Sequence, residues 1–186
     1  MIILIHHQCE SVLRISRAQL KKFVLEVSSY DRKLDFHNFQ RAVTILHTTH
    51  LMINLLGLQQ HTCSGLEAAA VLLAALCHDL DHDGLSNSFH VRSKSALAAR
   101  YSYRSVLEQH HSAMAKKLLK DTGCLDSLNE KELEKVTGLM KRCILATDMS
   151  QHKQQLNTLV SRIDHILSSG KSPLASRLKR RGLEDA

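Results

Sequence analysis

The stretch LEAAAVLLAALCHDLDHDG, residues 66–84, joins a continuous apolar run to a group of acidic and imidazole side chains. The apolar part, up to Cys77, is hydrophobic almost all round, which predicts a helix buried at the centre of the fold. Ser64 precedes it and Glu67 follows three residues later, a spacing typical of a capping box at a helix start. The polar part places five acidic or imidazole residues in six positions: His78, Asp79, Asp81, His82 and Asp83.

This polar group has the composition of a metal site. An imidazole nitrogen beside carboxylate oxygens suits Zn, Fe, Mn or Mg, and neighbouring carboxylates can orient histidine ligands. His78 and Asp79 are adjacent, and both can turn towards one ion where a helix frays at its end. The alternative is a solvated polar loop whose Asp and His residues only cap the helix. The chain has 13 histidines, which favours metal or acid–base chemistry, although scattered surface histidines are a second explanation.

The rest of the chain also shows helical patterns and no alternating strand pattern. Apolar residues recur at helical spacing over residues 10–30 and 37–58, and a polar loop, residues 29–36, separates them. The helix at 37–58 is expected to stop at Gly57 and the polar residues 59–61. Further helices are predicted near these residues: 94–101, 105–120, 129–147 and 149–168.

Two local signals refine these helices. Ser105 and Glu108 have the spacing of a second capping box, and Gly84 and Asn87 are expected as turn residues after the acidic group. The sequence therefore predicts an all-α fold, a compact bundle of six or seven helices, in a single domain over residues 1–186.

Composition limits the function classes. Aromatic residues make up only 4% of the chain, which argues against nucleic-acid binding, and the formal net charge of +7 also suits a small anionic ligand such as a nucleotide. Part of that charge lies in the basic tail, residues 166–186.

The five cysteines are odd in number and form no C-x-x-C pair, so a reducing, cytoplasmic setting is predicted. MIILIHHQCE is too short an apolar run for a signal peptide, and no stretch approaches the roughly 20 apolar residues of a membrane span.

Several segments, taken in order, resemble motifs of one enzyme family. HDLDHDGLSNSF (78–89), SALAARYSYRSVLEQHH (95–111) and ILATDM (144–149) are similar to successive motifs of the class I 3′,5′-cyclic nucleotide phosphodiesterases. FHNFQRAV (36–43) resembles the His-Asn-x-x-His-Ala stretch of that family. The resemblance covers about residues 20–165 and implies a compact helical bundle of the HD-domain/phosphodiesterase type, truncated on its C-terminal side.

The resemblance implies hydrolysis of cyclic AMP or cyclic GMP to the 5′-monophosphate with two divalent metal ions, Zn plus Mg or Mn. His37 matches the general acid of the family, and His78 and Asp79 match metal ligands. The remaining matched positions hold waters or orient the site: His82, Glu108, His110, His111 and Thr147. Glu108 and Thr147 each have a purely structural explanation as well, as a capping residue and as a helix-terminal hydroxyl.

Two departures from the family pattern lead to an alternative prediction. Arg41 occupies the position of a metal-ligating histidine, and a guanidinium has no lone pair to donate. His47 and His50, further along the same predicted helix, match no motif position. The distant Asp ligand and the Gln and Phe that hold the base in the family have no counterpart after residue 165, so the nucleotide preference is open. The alternative is a catalytically inactive fragment or interaction module that keeps the fold and binds an oligomeric or protein partner.

Overall fold

The computed structural model describes residues 1–30, 32–58 and 63–168. It contains two compact units, one over Met1–Thr147 and one that begins at Asp148. The predicted basic tail lies almost wholly outside the described residues, as do residues 59–61. The prediction of a single domain over 1–186 therefore stays a prediction.

The described part of the first unit consists of α-helices and the loops between them. They are α1 (Ile2–His6), α2 (Cys9–Leu13), α3 (Arg17–Ser29), α4 (Phe39–Leu55), α5 (Gly65–Cys77), α6 (Asn87–Arg92), α7 (Ala96–Arg100), α8 (Val106–Asp121) and α9 (Glu130–Leu145). The second unit has a 3₁₀ turn, Met149–Gln151, followed by α10 (His152–Ser168). Neither unit has a β-strand among the described residues, so the all-α prediction is confirmed.

Helix α5 is the centre of the first unit, as predicted. Its capping box forms: the Ser64 hydroxyl accepts from the Glu67 backbone N–H, and the Glu67 carboxylate accepts from the Ser64 backbone N–H. The helix packs against α2, α4, α8 and α9. Its alanines, fully or nearly fully buried, let neighbouring backbones approach, and its leucines fill the space between them. The polar group at its C-terminal end is consequently held on a rigid, buried support.

The predicted continuous helix over residues 10–30 is wrong. The chain leaves α2 at Arg14, which has a left-handed backbone conformation (φ 54°), and α3 starts with a second capping box between Ser16 and Gln19. Arg14 is held there by hydrogen bonds from its guanidinium to the Glu132 carboxylate and the Ser127 carbonyl. The Ser-x-x-Gln spacing carried the signal for this break, because it satisfies the backbone N–H groups of a new helix start.

The predicted capping box at the start of α8 is also wrong. Ser105 has a φ of 41° and its side chain makes no capping hydrogen bond, while Asn87 donates its amide to the Glu108 carboxylate. Asn87, expected in a turn, instead begins α6.

The predicted helices near 94–101 and 129–147 are confirmed as α7 and α9, and the short helices α1 and α6 were not predicted.

Candidate active site

A hydrogen bond at the end of α5 determines which ring nitrogen of His78 carries a proton. His78 is the C-cap of α5, and its Nδ1 lies 3.0 Å from the Ala75 carbonyl oxygen. Because a carbonyl only accepts, Nδ1 carries a proton and the Nε2 lone pair remains for another partner. That Nε2 lies 3.1 Å from Oδ2 of Asp79. Two lone pairs at this distance repel, so the contact requires either an imidazolium proton or a shared cation between them.

Asp79 is the hub of the site. Its Oδ2 also lies 2.8 Å from Nδ1 of His37 and 3.9 Å from Nε of Arg41. Burial disfavours the charged carboxylate, but the hydrogen bonds and charges of His78 and His37 outweigh burial and hold the pKa of Asp79 well below its usual range. We call these four residues, His37, Arg41, His78 and Asp79, the Asp79 cluster. It is an ionised carboxylate enclosed by basic groups.

His37 and His82 form a stacked pair beside the carboxylate. Their ring centroids are 3.8 Å apart and the rings are nearly parallel. Nδ1 of His82 accepts from the backbone N–H of Gly84, which has a φ of 87° and thereby turns its N–H back to the ring. Burial, and next the charge of His37, lower the pKa of His82, so this ring stays neutral.

A second layer of histidines, His110 and His111, lies on α8. Nε2 of His110 is 2.8 Å from Oδ2 of Asp81, and the other Asp81 oxygen accepts from the Arg32 guanidinium. His111 is buried; its Nδ1 donates to the Leu80 carbonyl over 2.7 Å, and burial lowers its pKa to about 4. The His111 ring also stacks on His82 at 5.4 Å. Both histidines therefore hold the loop that carries the site.

The Glu108 carboxylate is oriented by Asn87, a residue that was expected in a turn. Asn87 donates its amide to both carboxylate oxygens, at 2.9 and 3.2 Å, and its own Oδ1 accepts from the Leu107 backbone N–H. A further pair was not predicted: the buried His90 contacts the carboxylate of Asp83 at 3.2 Å. Its sequence signal was weak, since only the i, i+7 spacing connects the two residues.

Thr147 is not joined to the Asp79 cluster by any hydrogen bond among the described residues. Its hydroxyl donates to the Ile144 carbonyl over 2.7 Å and closes the end of α9. The Thr147 hydroxyl thus has the structural role, at the end of a helix, that was the alternative to a role in the site.

Arg41, at the motif position where the family pattern has a histidine, lies beside the carboxylate of Asp79. Its guanidinium lies 3.9 Å from the centre of the Phe36 ring, which is a favourable cation–π position. Its Nε is buried and has no hydrogen-bond partner within the described part of the chain. A positive charge thus already faces Asp79, and one donor of that charge is unsatisfied.

Comparisons with known proteins agree with the motifs. A family model for 3′5′-cyclic nucleotide phosphodiesterase matches residues 36–180, more than half of the chain. The chain belongs to this family. The "3′,5′-cyclic-nucleotide phosphodiesterase regA" of Dictyostelium discoideum is 30% identical over 162 residues, and the "Probable 3′,5′-cyclic phosphodiesterase pde-1" of Caenorhabditis elegans is 37% identical over 139 residues.

The chain spans only part of these relatives. The matches cover 86% and 74% of this chain but 20% and 21% of the two relatives. The crystal structure of the phosphodiesterase domain of the RhoPDE fusion protein from Salpingoeca rosetta is similar with a TM-score of 0.81 and 35% identity, over 96% of this chain and 56% of that one. The similarity confirms the phosphodiesterase type of fold. Among the described residues, no helix has the length and hydropathy needed to cross a membrane.

Proposed function

We propose that this chain carries the acid and metal-binding part of a site that hydrolyses 3′,5′-cyclic nucleotides to 5′-monophosphates in second-messenger signalling. The observation that carries the proposal is the convergence of His37 Nδ1 and His78 Nε2 on one carboxylate oxygen of Asp79. Membership of the phosphodiesterase family supports the reaction class. The proposal implies a cytoplasmic enzyme and leaves open whether cyclic AMP or cyclic GMP is preferred.

His37 is suited to protonate the departing 3′ oxygen. Its Nδ1 lies 2.8 Å from Oδ2 of Asp79, so the carboxylate fixes the orientation of the ring and leaves Nε2 for the contact with substrate. Its side chain is about one-third exposed (34%), so substrate can approach it. Stacked on its face, the neutral His82 adds no second positive charge.

The His78–Asp79 pair fits a divalent ion. Two ligands about 2.1 Å from one ion and at right angles lie about 3.0 Å apart, and the observed separation of His78 Nε2 and Asp79 Oδ2 is 3.1 Å. The family suggests Zn together with Mg or Mn. An ion held there would supply positive charge to the phosphate and acidify a water molecule. His82, Glu108, His110 and His111 would hold the surrounding loop and waters.

Arg41 favours a second candidate function. The guanidinium contributes no ligand and places a positive charge 3.9 Å from the carboxylate that an ion needs. A chain in which Arg41 takes the place of the ion would keep the fold as an inactive fragment or interaction module. Such a module would bind a protein partner or a second copy of the chain instead of hydrolysing nucleotide.

Hydrolysis assays on purified chain separate the two candidates. Cyclic AMP and cyclic GMP are supplied in turn with Mg²⁺, Mn²⁺ or Zn²⁺, and 5′-monophosphate is measured for wild type, His78→Ala and His152→Ala. His152 is an exposed histidine of the second unit and serves as the matched control. The enzyme proposal expects turnover that His78→Ala abolishes and His152→Ala leaves unchanged. Equal background rates in all three proteins would reject it for this chain and support the module.

A further inference from the structure

Three histidines outside the phosphodiesterase motifs converge where α1 meets α4. The rings of His6, His7 and His50 form a nearly equilateral triangle, with centroids 5.2, 5.1 and 5.0 Å apart. Each pair is close to perpendicular, at 82 to 88°. One ring nitrogen from each histidine lies within 4.8 Å of the other two. We call these residues the three-histidine cluster.

The backbone explains how two adjacent histidines face the same point. Helix α1 ends at His6, His7 is its C-cap, and Gln8 then takes a left-handed conformation with φ 53°. This turn is held in place because Leu4 and Cys9, on either side of it, are fully buried. On α4, the Asn54 amide nitrogen lies 3.2 Å from Nδ1 and 3.3 Å from Nε2 of His50, and the His50 nitrogen that binds a metal must give up this contact. All three imidazoles are therefore held by elements that pack independently of them.

Two of the three nitrogens, on His7 and His50, are slightly closer together than two nitrogen ligands of one ion, and the His6 nitrogen lies within 4.8 Å of both. His7 Nε2 and His50 Nδ1 are 2.8 Å apart. Nitrogens on a tetrahedral ion at about 2.0–2.1 Å lie about 3.4 Å apart, so a shift of roughly half an ångström would open the pair.

We propose that His6, His7 and His50 bind one transition-metal ion of the Zn²⁺ class and that this ion fastens α1 to α4. Neutral imidazoles suit Zn²⁺, Co²⁺, Ni²⁺ and Cu²⁺, whereas Mg²⁺ and Ca²⁺ prefer oxygen ligands. Three histidines leave a fourth position of a tetrahedral ion for water or an anion.

This site is separate from the Asp79 cluster. The two share no residue, and His6 and His7 precede residue 36, where the family match begins. His50 follows Arg41 by nine residues on α4, which corresponds to roughly 13 Å along the helix axis. Loss of one site therefore need not affect the other.

A Co²⁺ titration of the full chain, stripped of metal with a chelator, tests the proposal. The visible absorption of bound Co²⁺ is followed for wild type, His6→Ala, His78→Ala and His152→Ala. His6 is exposed, so its loss leaves the core intact. We expect His6→Ala to weaken binding at least about tenfold, because even the loss of an outer hydrogen bond to a metal ligand typically costs 10–100-fold. His78→Ala and His152→Ala should retain the nitrogen-rich Co²⁺ spectrum.

Thermal unfolding tests whether the ion fastens α1 to α4. Zn²⁺ should raise the Tm of His78→Ala but not that of the double variant that combines His6→Ala with His78→Ala, because a ligand stabilises only the state that binds it. Both proteins carry His78→Ala, so binding at the Asp79 cluster does not distinguish them. His50→Gln repeats the test from the α4 side, and the Tm and helical circular dichroism of the stripped proteins check folding. Unchanged Co²⁺ affinity in both His6→Ala and His50→Gln would overturn the proposal and leave only a hydrogen bond between histidines.

Discussion

The Asp79 cluster and the three-histidine cluster, to which α4 contributes Arg41 and His50, differ in the charge at their centres. The Asp79 cluster surrounds an ionised carboxylate with His37, His78 and the Arg41 guanidinium. The three-histidine cluster contains no carboxylate among its members and no cation other than its own titratable rings. The first therefore already contains a permanent positive charge that competes with a metal, whereas the three members of the second include none.

This difference shows that matching a motif and keeping its chemistry are separate questions. His78 and Asp79 retain a spacing that suits one ion, yet the residue at position 41 changes the charge that an ion would meet. At the three-histidine cluster, ligand geometry arises at residues for which no family motif predicts a role. Four substitutions test these statements, beginning with the largest expected effect.

Removal of the shared carboxylate should destabilise the fold most. Asp79→Ala leaves the Arg41 guanidinium and the two histidines without their common anion, and breaking a largely buried charge pair costs about 3 kcal/mol. Urea unfolding of the stripped chain measures this loss. Asp121→Ala removes an exposed i, i+4 partner of Lys117 and should leave the free energy of unfolding nearly unchanged. If the two variants unfold at the same urea concentration, Asp79 is not the electrostatic centre described above.

Replacement of the competing cation should convert the Asp79 cluster into a better metal site. Arg41→His removes a charge 3.9 Å from Asp79 Oδ2 and supplies an imidazole. We expect Mn²⁺ affinity to rise about tenfold, which equals about 1.4 kcal/mol, with no change in Co²⁺ binding at the three-histidine cluster. Arg100→His, on the exposed end of α7, is the control. A Mn²⁺ affinity that does not change would show that Arg41 does not exclude the ion.

The loop that follows the Asp79 cluster depends on one glycine. Gly84 has a φ of 87°, and an added Cβ would lie 3.2 Å from Leu34 Cδ2. Gly84→Ala should therefore cost about 1 kcal/mol and disturb the N–H that binds His82. Gly138→Ala is a control of opposite sign, because its Cβ meets Arg142 Nη1 at an ordinary 3.6 Å and alanine favours a helix interior. Thermal unfolding of both variants checks the signs, and stabilisation by Gly84→Ala would contradict this reading.

Much of this fold follows from patterns that act over a few residues. The buried α5, its Ser64–Glu67 cap and the all-α class were predictable because apolar periodicity and capping are local. The break at Arg14 did have a local signal, the spacing of Ser16 and Gln19, but the apolar periodicity runs across it. The partner of Glu108 was not predictable, since it depends on Asn87, 21 residues away. The three-histidine cluster was missed for the same reason. His50 is 43 residues from His7, and only packing of α1 on α4 brings them together.

The fourth substitution, Glu67→Gln at the start of α5, has the smallest expected effect on stability. Glu67 belongs to neither cluster, so its pH dependence can be measured separately from theirs. The Glu67 carboxylate accepts from the Ser64 backbone and hydroxyl and pairs with Lys135, and these contacts lower its pKa from 4.5 to about 2. Because the folded state favours the charged form, this stabilisation is fully present above about pH 4.5 and is lost as the pH falls towards 2. Glu67→Gln should therefore be less stable than wild type by about 0.5–1 kcal/mol at pH 7. The partly exposed position of Glu67 keeps this value small.

The difference should shrink as the pH approaches 2, and denaturant unfolding at several pH values measures it. Glu130→Gln, in the first turn of α9 and exposed, serves as the control and should show a smaller pH dependence. A wild-type advantage that persists undiminished near pH 2 would mean that the charge of Glu67 does not stabilise the cap. If the stability advantage of wild type over Glu67→Gln disappears when Glu67 is protonated, the charge of Glu67 stabilises the cap at the start of α5. That contribution is then independent of the site at the other end of the helix. The stability of the central helix could then be lowered without altering the ligands of either cluster.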